Sequence, residues 1–325
     1  MCTAVTYKTK DFYFGRNLDL DYTYNEKIVI TARNFSLKFR NQDTIDSHFA
    51  IIGMAIVVED YPLYYDAMNE KGLCMAGLSV PHYAQYKKNR DDADNVASFE
   101  FIPWVLAQCK NLDDVKHLIK NLNITDTPFN SDFLLSPLHW IIADRTGAIT
   151  VEAVGEGIKI YDNNIGILTN SPEFDAQMIN LNNYMGLSAE QTEHRISNEI
   201  DFKPYTKGMG AIGLPGDLSS MSRFVKVAFT KLNSVSGEEE SESVGQFFHI
   251  LGSVYQQRGC VKTGEDKYEI TYYSSCCNAD KGIYYYTTYF NPGVCAVSLF
   301  MEKLDSDSYY CYPLVKQLVI NMQNR

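Results

Sequence analysis

Apolar and polar residues alternate along residues 2–9 and again along 12–19, with Lys10-Asp11 between the two runs. A period of two places one face of a strand on a core, so this stretch reads as a β-hairpin. With the turn centred on Lys10-Asp11, Thr9 pairs with Phe12 and Cys2 falls opposite Asp19. Residues 27–33, 49–58, 63–67 and 72–80 are further strand segments, rich in Ile, Val, Tyr and Phe and punctuated by Gly and Pro.

The period then changes. Residues 98–109 and 112–121 carry helical apolar spacing. Asn111 is placed to cap the second helix, and Asp113 and Asp114 sit in its first turn, which suits the helix dipole. Strand patterns return at 138–143, 148–153 and 158–161. Residues 174–184 read as helix, 186–217 as a long irregular segment, and 222–232 and 243–256 as amphipathic helices. The chain closes on strand patterns at 268–275, 283–289 and 294–301. Strands thus come in two groups with helices between them and no βαβ alternation. That predicts an α+β fold with two antiparallel sheets packed face to face and covered by helices. No linker interrupts residues 1–325, which are read as a single domain.

The formal net charge is -11, which disfavours binding to nucleic acid or an anionic membrane. No apolar run approaches about 18 residues, so no membrane insertion is expected. The first residues show no secretory pattern, and a cytoplasmic location is expected. None of the eight cysteines forms a metal-binding spacing, and no metal or cofactor is expected. In a reducing compartment seven of them are read as small buried hydrophobes. The six histidines are scattered and receive no role. An acidic stretch at 237–243 reads as a loop or the start of a helix.

Cys2 stands apart. Loss of Met1 would leave a chain beginning with a thiol and a free α-amine, whose ordinary pKa is about 7.7–8.0. Such an amine can take the thiol's proton, so nucleophile and base reside in one residue. Asp19, opposite Cys2 in the expected register, would orient the amine. Arg16 would lower the thiol pKa or meet an anionic substrate. Strict alternation places Asn17 and Asp19 on the face of Cys2 and Arg16 on the other. For Arg16 to reach the thiol a bulge is required, and Gly15 would permit one. An ordinary ion pair between Arg16 and Asp19 fits the same residues.

These residues resemble a known family. M-C-T-A-V followed by F-G-R-N-L-D is similar to the opening of the choloylglycine hydrolases, the bile salt hydrolases and penicillin V acylases. N-E-K-G-L-C-M-A-G-L from Asn69, L-T-N-S-P from Leu168 and G-L-P-G-D-L-S-S-M-S-R-F from Gly213 continue the resemblance in the family's order. It implies the four-layer αββα sandwich of N-terminal nucleophile hydrolases. It implies Cys2 as nucleophile with its own amine as base, Arg16 near thiol and substrate, and Asp19 on the amine. Asn170 would stand at the amine and oxyanion, and Arg223 would support the site electrostatically.

One position departs from the family. After A-G-L, bile salt hydrolases usually carry Asn and penicillin V acylases Tyr; here it is Ser79, with one donor where an amide has two. Arg16, Leu18 and Ser79 are expected to contact substrate, and Tyr22 and Tyr24 to join Leu18 in an apolar trough. The resemblance implies cleavage of glycine- or taurine-conjugated bile salts through a Cys2 thioester, without a cofactor, by a homotetramer. A penicillin V acylase with another acyl pocket and a catalytically silent binding relative are the alternatives. Retention of all five family residues argues against the silent relative.

Overall fold

A computed structural model describes residues 1–194 and 196–324; Arg195, within the segment read as irregular, and Arg325 lie outside it. In chain order the strands are β1 (Cys2–Lys8), β2 (Phe12–Leu20), β3 (Lys27–Thr31), β4 (Ile51–Val58), β5 (Tyr61–Asn69), β6 (Cys74–Ser79), β7 (Asp94–Ala97), β8 (Leu122–Thr125), β9 (Leu138–Asp144), β10 (Gly147–Val154), β11 (Gly157–Asp162), β12 (Ile167–Leu168), β13 (Lys262–Gly264), β14 (Lys267–Tyr268), β15 (Ile270–Asn278), β16 (Ile283–Thr288), β17 (Asn291–Ser298) and β18 (Tyr309–Pro313). The α-helices are α1 (Phe101–Gln108), α2 (Leu112–Leu118), α3 (Phe174–Leu181), α4 (Ser220–Asn233) and α5 (Glu240–Gly252).

The described residues form two large antiparallel sheets. The first has the order β12-β1-β2-β15-β16-β17, and the second β11-β10-β9-β6-β5-β4-β3-β18. Helices α4 and α5 cover the first sheet, and α1 and α2 cover the second. The layers run α, β, β, α, as the α+β reading and the family resemblance implied. The nearly unbroken apolar runs follow from this, because strands of the second sheet are buried on both faces. In β3, Ile28 and Ile30 enter the core between the sheets, while Val29 enters the core under α1 and α2. In β9, Ile141 and Ala143 take the first core, and Trp140 and Ile142 the second.

Most expected elements are present. The acidic stretch starts α5, where Glu239 and Glu242 form a capping box. The sequence reading missed β7, β8, β12, β13 and β18, all of five residues or fewer; β7 and β8 pair in parallel across α1 and α2, a crossover where no βαβ alternation was expected.

The hairpin forms one residue away from the expected register. Lys8 pairs with Phe12 and Cys2 with Leu18, not Asp19. A two-residue loop favours positive φ and residues such as Asn-Gly. Lys10-Asp11 offers neither, and the loop takes three residues. The N–H of Phe12 is held instead by Asp280 Oδ2 at 2.6 Å. A shift of one residue turns every side chain to the other face. Arg16 therefore shares the face of Cys2 without any bulge in β2. Asn17 and Asp19 point to the opposite, helix-covered face. The bulge lies in β15, between Thr271 and Tyr273. Gly15 serves close approach: a Cβ there would lie 2.0 Å from Ser275 O.

Candidate active site

Cys2 begins β1, between β2 and the short β12, and is buried. β12 pairs Leu168 with Ala4, and the same register carried two residues further brings Asn170 beside Cys2. The Cys2 N–H donates to Asn170 Oδ1 at 2.7 Å. Asn170 Nδ2 donates to Ser79 O at 2.6 Å, tying β6 of the other sheet to the same point.

On the helix side, Arg223 rises from the first turns of α4, which Ser219 caps by accepting from Ser222 N. Its Nη1 donates to Cys2 O and Thr3 Oγ1, both at 2.6 Å, and its Nη2 to Asn170 Oδ1 at 2.7 Å. Burial pushes its pKa down, and Asp19, Cys2 and Glu269 oppose that. Asp19 Oδ1 accepts from Thr271 Oγ1 at 2.7 Å, while Oδ2 is buried without a hydrogen-bond partner among the described residues. Burial raises its pKa against the pull of Arg223 and the chain's terminal ammonium.

The amine of Met1 does not reach the Asp19 carboxylate. It donates to the Asp19 main-chain oxygen at 2.8 Å and pairs with Glu269 Oε1. Met1 O in turn accepts from Asp19 N at 2.9 Å, so Met1 occupies a strand position opposite Asp19. Glu269 is a buried acid that the sequence reading missed. It stands one residue before β15, and nothing in the local sequence marks it.

On the other face, Cys2, Arg16, Leu18 and Ser79 line one cavity of about 540 Å³. Arg16 is fully buried; Nη1 donates to Gly77 O at 2.5 Å and Tyr65 O at 3.2 Å. Its Nη2 is buried without a partner among the described residues. Burial works against its charge, but Cys2, Tyr273, Asp66 and Asp19 outweigh it and raise the pKa. Asp66 is a second missed acid. It accepts from Tyr273 at 2.5 Å, Tyr284 at 2.7 Å and Ser275 at 2.9 Å, bridging β5 to β15 and β16. Tyr22 and Tyr24, whose ring centroids lie 4.9 Å apart edge to face, line the same cavity as half-exposed side chains. No His/Cys/Asp/Glu group suited to a metal is found among the described residues. No helix among them is long and apolar enough to cross a membrane.

The arrangement offers a thiol beside a chain start, one amide oxygen joining that start to an arginine, and an apolar cavity with a buried cation. Comparisons with known proteins agree. The family described as linear amide C–N hydrolases, choloylglycine hydrolase family, matches residues 2–312. A bile salt hydrolase/transferase of Lactiplantibacillus plantarum is 54% identical, over 97% of each chain. One from Clostridium perfringens is 40% identical over the full length of both. The crystal structure of the C2A mutant of conjugated bile acid hydrolase from C. perfringens superposes with a TM-score of 0.93 over the whole of both chains, at 39% identity. Penicillin V acylase from Agrobacterium tumefaciens, at 16% identity, shares the fold with a TM-score of 0.74 over 94% of this chain and 89% of its own. With its cysteine at position 2, its two facing sheets and a match over nearly its whole length, the chain belongs to the choloylglycine hydrolase family.

Proposed function

We propose that the chain hydrolyses the amide bond of glycine- or taurine-conjugated bile salts through a thioester on Cys2. The observation that carries this is the shared Asn170 Oδ1, which meets both the Cys2 nitrogen and Arg223 at 2.7 Å. Once Met1 is removed, that nitrogen is a free amine held at the thiol's own residue. It takes the thiol proton, and the thiolate attacks the carbonyl joining the steroid acid to its amino acid. The second hydrogen of Asn170 Nδ2 and donors around Ser79 hold the oxyanion. The amine passes its proton to the leaving nitrogen, releasing glycine or taurine. Water, activated by the same amine, then cleaves the thioester and frees the bile acid. Arg16, with Nη2 unused beside the cavity, attracts the anionic substrate, and Leu18, Tyr22 and Tyr24 bed the steroid. Asp19, with Oδ2 unused, orients the mature amine.

The test is release of glycine and taurine from glyco- and tauro-conjugates by wild type and Cys2→Ala, with penicillin V as the competing substrate. Release from neither conjugate defeats the reading. A fully active Cys2→Ala protein defeats the nucleophile assignment, as does an active enzyme that retains Met1 by N-terminal mass spectrometry.

We also infer a homotetramer working in the cytoplasm. Ile196, Ile200, Phe202 and Tyr205 are exposed in the irregular segment, which supports self-association, and free cysteines suit a reducing compartment. Light scattering that gives the mass of one chain overturns the tetramer.

A further inference from the structure

His139 carries no expected role, yet it lies fully buried in β9, opposite Glu152 of β10. Its Nδ1 is 2.8 Å from Glu152 Oε1, and its Nε2 is 2.9 Å from the main-chain oxygen of Thr169. A carbonyl oxygen only accepts, so Nε2 carries the hydrogen. Glu152 Oε1 also accepts from the N–H of Phe174, at the start of α3, at 3.1 Å. A polar pair sunk this deep is costly, and apolar side chains in place of such pairs are often no less stable. What the pair supplies is a hold on one carbonyl, next to Asn170.

Besides the bonds of the Asn170 side chain to Cys2, Arg223 and Ser79, this segment is tied to the helices. Thr169 Oγ1 and Asn170 N meet Ser220 Oγ at 3.0 and 2.9 Å, and Gln177 Nε2 donates to Asn170 O at 3.3 Å. His139 supplies a side-chain tie to the second sheet on the residue before Asn170. We propose that His139, backed by Glu152, is a positioning residue that sets Asn170 against the Cys2 nitrogen. The proposal rests on the reading of Asn170 given above. Displacing a catalytic group by about 1 Å can cost about 100-fold in rate.

The experiment compares four proteins in bile salt hydrolysis: His139→Leu/Glu152→Leu, His139→Gln, Asn170→Ala, and the Leu pair combined with Asn170→Ala. Replacing both buried partners leaves no orphaned charge, but Thr169 O loses its donor and Phe174 N its acceptor, so the Leu pair is expected to fold with one cooperative transition and to melt below wild type. Its kcat is expected to fall at least about 10-fold with KM within about threefold. His139→Gln, which keeps a donor for Thr169 O, recovers most of that loss. The Leu pair causes no further loss in the Asn170→Ala background, because residues acting through one group are not additive. A fully active Leu pair beside an inactive Asn170→Ala overturns the proposal alone. An active Asn170→Ala overturns both it and the reading beneath it. Additive losses reduce His139 to packing and overturn it too. Should the Leu pair not fold, Glu152→Gln takes its place: a lowered kcat that vanishes in the Asn170→Ala background supports the proposal, and full activity overturns it.

Discussion

Asn170 Oδ1 accepts from the Cys2 nitrogen and from Arg223 Nη2 at the same distance, 2.7 Å, so one amide oxygen ties the nucleophile's residue to the buried guanidinium. The same side chain donates from Nδ2 on its other side. The two halves of this amide are separable by substitution.

Asn170→Asp keeps the acceptor and removes the donor. Iodoacetamide labelling of Cys2 should persist, while kcat for conjugate hydrolysis falls about 100- to 1,000-fold, the scale of one lost oxyanion donor. Equal loss of labelling and hydrolysis would assign Asn170 to the amine alone.

Arg16 and Asp66 should act as a coupled buried pair of charges, because Asp66 is among the groups that hold the Arg16 charge. Arg16→Met takes a cation away from a buried carboxylate that keeps its three hydroxyl donors, and should lower stability. Arg16→Met/Asp66→Asn should recover much of that loss in urea unfolding while remaining poorly active. A double variant less stable than Arg16→Met would refute the coupling.

Two glycines should respond in opposite directions to alanine. At Gly15 the new Cβ meets Ser275 O at 2.0 Å, so Gly15→Ala should destabilise by about 1–3 kcal/mol or more. Gly245 lies inside α5 with nothing within 4 Å of a built Cβ, so Gly245→Ala should stabilise by about 0.4–1 kcal/mol. Urea midpoints of the two variants check both signs.

Asp217 sets an acid limit on the segment that leads into α4. Hydrogen bonds from Ser219 and Ser222 lower its pKa to about 2. The folded state therefore binds this proton less readily than the unfolded chain, whose Asp titrates near about 3.9. The stabilisation is full above that value and is lost as pH falls through about 2. Thermal melts of wild type and Asp217→Asn should differ at pH 5 and converge below pH 2. An unchanged difference would show that the carboxylate charge is not involved.

Much of the fold was legible from local pattern, because strand and helix periods are written in neighbouring residues. The two strand groups, the flanking helices, the opening hairpin and the special position of Cys2 all came from there, and the motifs around Arg16, Asn170 and Arg223 named the family. The register of the hairpin did not. It goes with a three-residue loop in which Phe12 N is bonded to Asp280, and a carboxylate 268 residues away leaves no mark on the local alternation. That single shift decided that Arg16, not Asp19, shares the face of Cys2. Tertiary structure likewise brought Asn170 to Cys2 through a two-residue strand, and Glu269 to the chain start. Such pairings are set by which sheet edge is open and which polar group would otherwise be buried unpaired, conditions that exist only once the layers have closed.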